Sequence, residues 1–362
     1  MRVIIASDSI GSATSAQAGR TLADGWRAGG VEAEVVPMGE AGAGFVRAVA
    51  DAAAVEPTSS VSADGVATVV DTADLLAVGF EPGTRRTEPG IDPDASSRPI
   101  GLALAEALRG SRHQAKEVVL DVSANQAHDG GAGLLAALGA DSDVPLDRGV
   151  AGLHGVSRVL LDPVRELLAG RRLSVVVPRG QDELPLLGLR GITSRFGRDQ
   201  GWHPEQLLAT DASLQAFTLA AAPGMHESPD WGACGGLGFA AHALGGRVLT
   251  GPRFCAERAD LPGRLSGADL LVTGCTSFEF ATRGGGVVAA VAELGTGASV
   301  PVILIAGEVM VGSREMRTMG IESAYGVRDP RPDRPAGAEG SAPIDDAALA
   351  TTAGRVARSW SW

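Results

Sequence analysis

The sequence predicts an α/β fold built from two domains. The chain has 362 residues, which is too long for one ordinary hydrophobic core and fits two domains of common size. Short apolar runs of strand length alternate with Ala- and Leu-rich stretches of helical length. Glycine-rich turns follow several of these runs. This alternation is typical of parallel sheets whose strands are joined by right-handed helical crossovers.

The predicted strands are short runs of β-branched residues or leucine that end in turn residues, as buried parallel strands do. They cover residues 3–6, 118–122, 173–177, 270–273 and 302–306. The predicted helices between them cover residues 15–28, 100–108, 133–138 and 286–294. The N-terminus lacks the apolar core of a secretory signal and is therefore expected to be the first strand.

Segments rich in Pro, Ser, Gly and Asp are predicted to connect these elements. Residues 56–65 and 81–99 are expected to be loops, with a domain boundary near residue 60. Residues 328–343 are expected to be a linker because Pro, Arg, Asp and Gly dominate them. Residues 345–359 have the length and composition of a terminal helix.

Charge and composition limit the classes of partner. The formal net charge of −12 repels phosphate backbones and argues against nucleic acid. No apolar run approaches the roughly 20 residues that span a bilayer, so no membrane partner is expected. The three cysteines lack the spacing of a metal site, and an odd number of them cannot all pair in disulfides; they are Cys234, Cys255 and Cys275. A reducing compartment, and so a cytoplasmic location, is therefore predicted. Lys116 is the only lysine, so a cation that contacts phosphate is expected to be an arginine.

Four glycine-rich segments carry small polar or acidic residues, some directly after a predicted strand: residues 7–15, 127–133, 232–238 and 273–277. Strand ends are where α/β folds bind ligands, and glycines there let backbone amides approach a phosphate. The alternative is that the glycines only permit tight strand-to-helix turns. No Walker-type lysine motif is present, and the spacing at 232–238 lacks the context of a dinucleotide site. A small phosphorylated ligand is therefore the favoured class.

Phosphoryl transfer needs carboxylates that hold Mg²⁺ or accept a hydroxyl proton. Five acids lie beside a glycine turn or soon after a predicted strand: Asp8, Asp129, Asp182, Glu183 and Glu279. Most of the other acids are expected to be surface groups. These five are therefore the candidate catalytic and metal-binding residues.

Taken in chain order, the motifs resemble those of the glycerate kinase type I family. Residues 4–16 (IIASDSIGSATSA) resemble its IAPDSFKGSLSA, and residues 37–44 (PMGEAGAG) resemble its PMADGGEG. The agreement covers nearly the whole chain. Further similar segments follow in the expected order at residues 129–139, 185–191, 196–201, 232–239, 268–274 and 301–307.

The departures from the family pattern fall mainly on polar residues. Gly11 stands where the pattern has lysine. The family's TGEGRLD becomes TGCTSFE at residues 273–279, which replaces a glutamate by Cys275 and an arginine by Ser277. A later lysine becomes Gly286. The fold and the activity are therefore separate questions.

The resemblance implies a two-domain glycerate kinase fold. Residues 1–60 and 265–362, from both chain ends, would form a Rossmann-like α/β domain, and residues 61–264 would form an inserted α/β domain. The cleft between the domains would hold ATP and glycerate, with Mg²⁺ as cofactor. The implied reaction transfers the γ-phosphoryl group of ATP to a glycerate hydroxyl and yields 2- or 3-phosphoglycerate.

The resemblance also implies roles for the candidate residues. Asp8, Asp129 and Glu279 are expected to be catalytic, with Asp8 and Asp129 as the base or as metal ligands. Asp182 and Glu183 are expected to bind Mg²⁺. Substrate or phosphate would be bound by Ser9, Ser12, Gly130, Gly131, Gly232, Gly235, Gly274, Arg195, Arg198 and Arg283.

Two functions stay open at this level. The protein is either an active kinase for glycerate or a related hydroxy acid, or a homologue that has lost phosphoryl transfer and binds a ligand for regulation. An active kinase is the main prediction; the changes at Gly11 and Cys275 support the alternative, because a single missing group can remove several kcal/mol of transition-state stabilisation. A small-molecule partner is expected in both cases, and a homodimer is left open as the assembly.

Overall fold

The computed structural model describes residues 1–84, 90–328 and 344–361. The predicted linker at 328–343 lies almost wholly outside these residues. The chain divides into two compact units, of which unit 1 comprises Met1–Val55 and Gly251–Trp362 and unit 2 comprises Glu56–Thr250. Within the described ranges, no helix is both long and apolar enough to traverse a lipid bilayer.

Strands and helices alternate along much of the chain, with β3, β4 and β5 following one another directly. The strands are β1 Arg2–Ser7, β2 Glu32–Pro37, β3 Thr58–Val61, β4 Gly65–Asp71, β5 Leu75–Pro82, β6 Glu117–Asp121, β7 Asp141–Ser142, β8 Val159–Leu160, β9 Arg172–Val177, β10 Arg247–Thr250, β11 Leu270–Phe278, β12 Val302–Val309 and β13 Ser323–Arg328. The helices are α1 Ser15–Arg27, α2 Ala43–Ala53, α3 Arg98–Gly110, α4 Ala132–Ala137, α5 Asp162–Leu167, α6 Ile192–Asp199, α7 Pro204–Ala221, α8 Ala233–Ala243, α9 Gly251–Arg258, α10 Leu261–Leu265, α11 Gly285–Ala298, α12 Ser313–Thr318 and α13 Asp346–Trp360.

The sheet of unit 1 is parallel throughout, in the order β13-β12-β11-β1-β2. Its central strands are apolar on both faces because helices cover both. Ile303 and Ile305 of β12 join one cluster, which contains α1 and α13. Leu304 and Ala306 join a second cluster, which contains α11. Alternate residues of one strand therefore serve opposite layers, as the pleat requires.

Helices α1 and α13 pack closely on the first of these layers. Trp26 of α1 is fully buried. Gly25 permits the close approach, because a Cβ at that position would lie 2.8 Å from the carbonyl carbon of Ala353 in α13. The last helix of the chain is thus part of the core that supports β1.

The sheet of unit 2 has the order β10-β9-β6-β5-β4-β3. Strands β10, β9, β6 and β5 are parallel, whereas β4 and β3 add antiparallel strands at one edge. Leucines from α3, α4 and α8 form much of the core against this sheet, including Leu104, Leu134 and Leu237.

The predicted α/β fold class is confirmed, and each of the five predicted strands is a parallel strand. The loop prediction for residues 56–65 is wrong at β3. This strand is exposed at all its residues, so it lacks the buried apolar pattern by which the other strands were predicted.

The unit boundaries differ from the predicted divisions after residues 60 and 264. Residues from Glu56 onward belong to unit 2 because β3 begins at Thr58 and pairs with β4. Residues from Gly251 onward belong to unit 1 because α9 contacts α2 and α10 contacts α11.

Candidate functional site

The direction in which successive strands are added to the unit 1 sheet reverses between β1 and β11. From β1 the chain passes through α1 to β2 on one side, and from β11 it passes through α11 to β12 on the other. The two strands are adjacent and parallel, with Val3 in register with Leu270. Ligands of open α/β sheets bind at the carboxyl ends of strands at such a switch point. The candidate site is therefore built from the residues that follow these two strands.

Asp8 is the first residue after β1 and lies at this switch point. Its backbone N–H donates to the carbonyl of Gly274 in β11 at 3.1 Å. Its carboxylate oxygen Oδ1 accepts the backbone N–H of Ser9 at 2.7 Å. Burial raises the pKa of Asp8 to about 6; the charge of Glu40 adds to the rise, and the Ser9 hydrogen bonds oppose it. Asp8 is thus a half-buried carboxyl group poised to titrate near neutral pH.

Glu40 was not singled out from the sequence, yet it is the acidic neighbour of Asp8. It follows β2, whose last residue Pro37 is in register with Ser7. Its Oε1 accepts the backbone N–H groups of Gly286 and Val287 in the first turn of α11. A carboxylate is favoured there because the N-terminal amides of a helix carry partial positive charge. Glu40 therefore holds this helix end and also adds negative charge to the site.

The loop after β1 is connected to β11 through Thr276. Its hydroxyl accepts the backbone N–H of Gly11 at 3.0 Å and donates to the carbonyl of Ser9 at 3.3 Å. Ser12, a predicted phosphate ligand, is exposed in the same loop, while Ser9 is half-buried. The backbone of Gly11 is in the left-handed region, with φ +61°, and Ile344 lies beside it.

The remaining candidates of unit 1 lie in and after β11. Gly274 is enclosed, since a Cβ there would lie 2.7 Å from Oγ of Ser7. Glu279 is half-buried, and its closest side-chain partner is the Thr282 hydroxyl at 3.5 Å. Arg283 is exposed and lies over the ring of Phe280, with 5.8 Å from Cζ to the ring centre.

Asp129 belongs to unit 2 and is fully buried. Its Oδ2 accepts the N–H and the hydroxyl of Ser97 at 2.8 and 2.9 Å, as well as the N–H of Gly133 at 3.1 Å. Its Oδ1 accepts the N–H of Gly131 at 3.0 Å. Burial raises the pKa of Asp129, and these hydrogen bonds oppose the rise. Ser97 precedes α3 and Gly131 precedes α4. The Asp129 carboxylate therefore accepts hydrogen bonds from the N-terminal ends of both helices.

The predicted glycine ligands of unit 2 pack backbone against backbone. The N–H of Gly130 donates to the carbonyl of Gly235 at 3.0 Å, and that of Gly232 donates to Leu184 at 2.7 Å. A Cβ at Gly235 would lie 1.7 Å from the carbonyl oxygen of Ala127. The amides of Gly130, Gly131 and Gly232 are therefore engaged by the protein itself. These glycines permit close backbone contact between the loops at residues 127–133 and 232–238.

A sequence model of the glycerate kinase family matches residues 3–361 of the chain. The chain belongs to the glycerate kinase family. It is 24% identical over 374 residues to the glycerate kinase of Bacillus subtilis (strain 168), covering 96% of this chain and 93% of that protein. It is 24% identical over 352 residues to the glycerate 2-kinase of Escherichia coli (strain K12), covering 90% of each chain. An uncharacterized protein of Mycobacterium bovis is 28% identical over 350 residues, covering 91% of this chain and 84% of that protein.

A crystal structure of a Salmonella typhimurium LT2 protein assigned as glycerate kinase 2 has the same fold. The TM-score is 0.75 with 22% identity, and the match covers 99% of this chain and 98% of that chain. At this identity the likeness establishes the fold alone. The glycerate kinase fold is thus present, whereas the roles of individual residues depend on their own geometry.

The other charged candidates of this glycerate kinase family member lie in unit 2. Asp182 is half-buried, and its Oδ1 accepts the N–H of Gly180 at 2.9 Å, while Glu183 is exposed. Arg198 is exposed, and so is Arg195, whose guanidinium lies 5.8 Å from the ring centre of Phe196. Asp8 and Glu279 belong to unit 1 and Asp129 to unit 2, so the expectation that these acids line one cleft stays a prediction.

Three residues of these sites were not predicted, although the sequence around each carries a recognisable feature. Glu40 lies within the PMGEAGAG segment, at the position where the glycerate kinase pattern PMADGGEG has aspartate. Ser97 comes two residues before Pro99, a signature of a helix start. Thr276 stands where the family's TGEGRLD has glycine. No local pattern, however, indicates that Thr276 bonds to a loop 265 residues away.

Proposed function

We propose that this protein transfers the γ-phosphoryl group of ATP to a hydroxyl group of glycerate. Membership of the glycerate kinase family and the names of the relatives from Bacillus subtilis and Escherichia coli support this substrate class. The observation that carries the proposal is the position of Asp8, a half-buried carboxyl group at the switch point of the unit 1 sheet with its pKa raised to about 6.

Asp8 is the proposed proton acceptor. As the glycerate oxygen forms its bond to the γ-phosphorus, the bond from that phosphorus to the bridging oxygen of ADP breaks, and the hydroxyl proton passes to Asp8. A base works best when its pKa lies near the operating pH, and a value of about 6 meets this condition. The Ser9 N–H at 2.7 Å holds the carboxylate in one orientation.

The proposed phosphate-binding groups must supply positive charge or hydrogen-bond donors. Lys116 directly precedes β6, at the amino edge of the unit 2 sheet, whereas ligands bind at the carboxyl edge. Arginine is therefore the proposed cation, and Arg283 is the exposed candidate of unit 1. The exposed hydroxyl of Ser12 is a further donor.

The residues also fit a magnesium ion that arrives with the nucleotide. Among residues 1–84, 90–328 and 344–361, no group of three or more His, Cys, Asp or Glu side chains could hold a metal ion. Magnesium usually takes only one or two carboxylates, together with water and substrate phosphates. Glu279 is the proposed ligand in unit 1, because its carboxylate is not engaged by several protein donors as that of Asp129 is. Asp182 and Glu183, the metal ligands expected from the sequence, belong to unit 2 and stay a prediction. The ion would neutralise charge on the phosphate oxygens.

A second candidate function is ligand binding without phosphoryl transfer. The contact between Gly11 and Ile344 favours it, since a Cβ at Gly11 would lie 2.8 Å from the Cβ of Ile344. The family's lysine therefore has no room at this position. Without a side chain there, a bound nucleotide would be held with less positive charge near its phosphates.

The two functions are separated by an ADP-release assay with ATP, Mg²⁺ and D-glycerate. We expect turnover by the wild type and a loss of roughly 10²–10⁴-fold for Asp8→Asn, the range of general base catalysis. Asp24→Asn is the matched control, because Asp24 is an exposed acid on α1 and should keep the wild-type rate. An inactive wild type whose melting temperature rises with ATP or glycerate would support the binding function instead. No turnover and no thermal shift would refute both.

A further inference from the structure

Thr276 makes two hydrogen bonds to the loop that carries Asp8. The hydroxyl is an acceptor for the backbone N–H of Gly11 at 3.0 Å and a donor to the carbonyl of Ser9 at 3.3 Å. A hydroxyl can do both at once because it has one proton and two lone pairs. The loop after β1 is thus fixed to β11 through one side chain.

The contact at Ser9 reaches Asp8 through the backbone. Thr276 binds the carbonyl of Ser9, and the N–H of the same residue donates to Oδ1 of Asp8 at 2.7 Å. The peptide groups on either side of Ser9 are planar, so fixing its carbonyl and N–H restricts the rotation of this residue. The orientation of the Asp8 carboxylate therefore depends on the hydroxyl of Thr276.

Two departures from the family pattern meet in this contact. The pattern has lysine at position 11 and glycine at position 276, whereas this chain has Gly11 and Thr276. The first change removes a side chain from the loop, and the second adds one that binds the loop's backbone. The position of Gly11 also requires glycine, because its φ is +61° and Ile344 fills the space a Cβ would need.

We infer that Thr276 is a positioning residue for Asp8, which it orients by binding the backbone of Ser9 and Gly11. This inference rests on the proposed function, since it gives Asp8 a reaction to serve. The Thr276 hydroxyl bonds to the backbone of the loop, not to the Asp8 carboxylate itself. In this chain its hydroxyl supplies a constraint across the switch point.

Thr276→Val tests the inference because valine keeps the β-branched shape that suits β11 but has no hydroxyl. Thr276→Ser keeps the hydroxyl and serves as the rescue variant. Thr351→Val is the matched control, since the Thr351 hydroxyl bonds only within α13, to the carbonyl of Ala347. Amide hydrogen exchange of the peptide covering residues 8–13 reports on the loop without any need for activity.

We expect faster exchange of this peptide in Thr276→Val, together with a fall in kcat of roughly 10- to 100-fold and a smaller change in KM for ATP. Thr276→Ser and Thr351→Val should match the wild type in both measurements. Unchanged exchange, or faster exchange with an unchanged kcat, would overturn the inference. An inactive wild type would instead overturn the proposed function and remove the catalytic role of Thr276, while the exchange data would still decide whether its hydroxyl holds the loop.

Discussion

Ile344 closes the space beside Gly11: a Cβ at Gly11 would lie 2.8 Å from the Cβ of Ile344. Ile344 is only 8% exposed, and the φ of Gly11 is +61°. The loss of the family's lysine is therefore accommodated by packing from the C-terminal part of unit 1. Restoring the lysine alone would work against both the backbone and this packing.

Gly11→Lys should lower the free energy of unfolding by about 2–5 kcal/mol. The left-handed backbone contributes roughly 1–2 kcal/mol, and overpacking against Ile344 adds roughly 1–3 kcal/mol. Gly30→Lys is the matched control, because Gly30 has φ +76° and no described atom lies within 4 Å of the point that its Cβ would occupy. It should show the backbone contribution only. Equal losses in urea unfolding would contradict a role for Ile344.

Asp129→Asn should destabilise the protein by roughly 2–5 kcal/mol. An asparagine has a single acceptor oxygen, so its amide group would face donors among Ser97, Gly131 and Gly133. Asp199→Asn is the control, since Asp199 is exposed at the end of α6. Chemical unfolding measures both variants. A stable but inactive Asp129→Asn protein would instead indicate a catalytic Asp129.

The stability of the protein should depend on pH through Asp8. Burial raises the pKa of Asp8 from its usual 3.8 to about 6 in the folded state. The folded state therefore holds this proton more tightly, and the stabilisation is present below about pH 4 and is lost as the pH rises through about 6. At about 1.4 kcal/mol per pKa unit, Asp8→Asn should be more stable than the wild type at pH 7 by up to about 3 kcal/mol.

The higher stability of Asp8→Asn should disappear at pH 4. Urea unfolding of the wild type and of Asp8→Asn at pH 4 and pH 7 measures this difference. Asp143 offers a contrast of opposite sign, since the hydrogen bond from the Ser157 hydroxyl lowers its pKa to about 2. Asp143 therefore stabilises the folded state above about pH 4, and that contribution is lost as the pH falls towards 2. A gain for Asp8→Asn that is independent of pH would show that ionisation of Asp8 is not its source.

Glu40→Gln should lower the pKa of Asp8, because it removes the neighbouring charge that adds to the rise. The glutamine carbonyl can still accept the N–H groups of Gly286 and Val287, so α11 should stay in place. The acidic limb of the pH–rate profile for ADP release should therefore move to lower pH. Glu32→Gln removes an exposed charge from the amino end of β2 and should leave the limb unmoved. A shift of the same size in both variants would contradict a local effect of Glu40.

Much of the fold could be predicted because buried parallel strands carry a strong apolar signal. The runs that became β1, β6, β9, β11 and β12 were all found in this way. Strand β3 could not be found, because it is exposed throughout and its composition is that of a loop. The partners of each strand follow from tertiary packing, which the local pattern does not contain.

The candidate site was predictable only where chemistry and strand ends coincide. Asp8 met both criteria and lies at the switch point. Asp129 met them too, yet its carboxylate is surrounded by four donors at two helix starts. A sequence shows which groups an aspartate could offer, but it does not show which donors the fold will place around it.

The order of strands in unit 1 has a consequence for the newly made chain. Strand β1 leaves the ribosome before its neighbour β11, which begins at Leu270. Unit 2 is contiguous from Glu56 to Thr250, so it can complete its sheet first. At about 5–20 residues per second, the apolar edge of β1 waits on the order of ten seconds or more for its partner. Nascent unit 1 therefore keeps an unpaired strand edge during this time, and a slow step in translating residues 251–328 would prolong its exposure to aggregation.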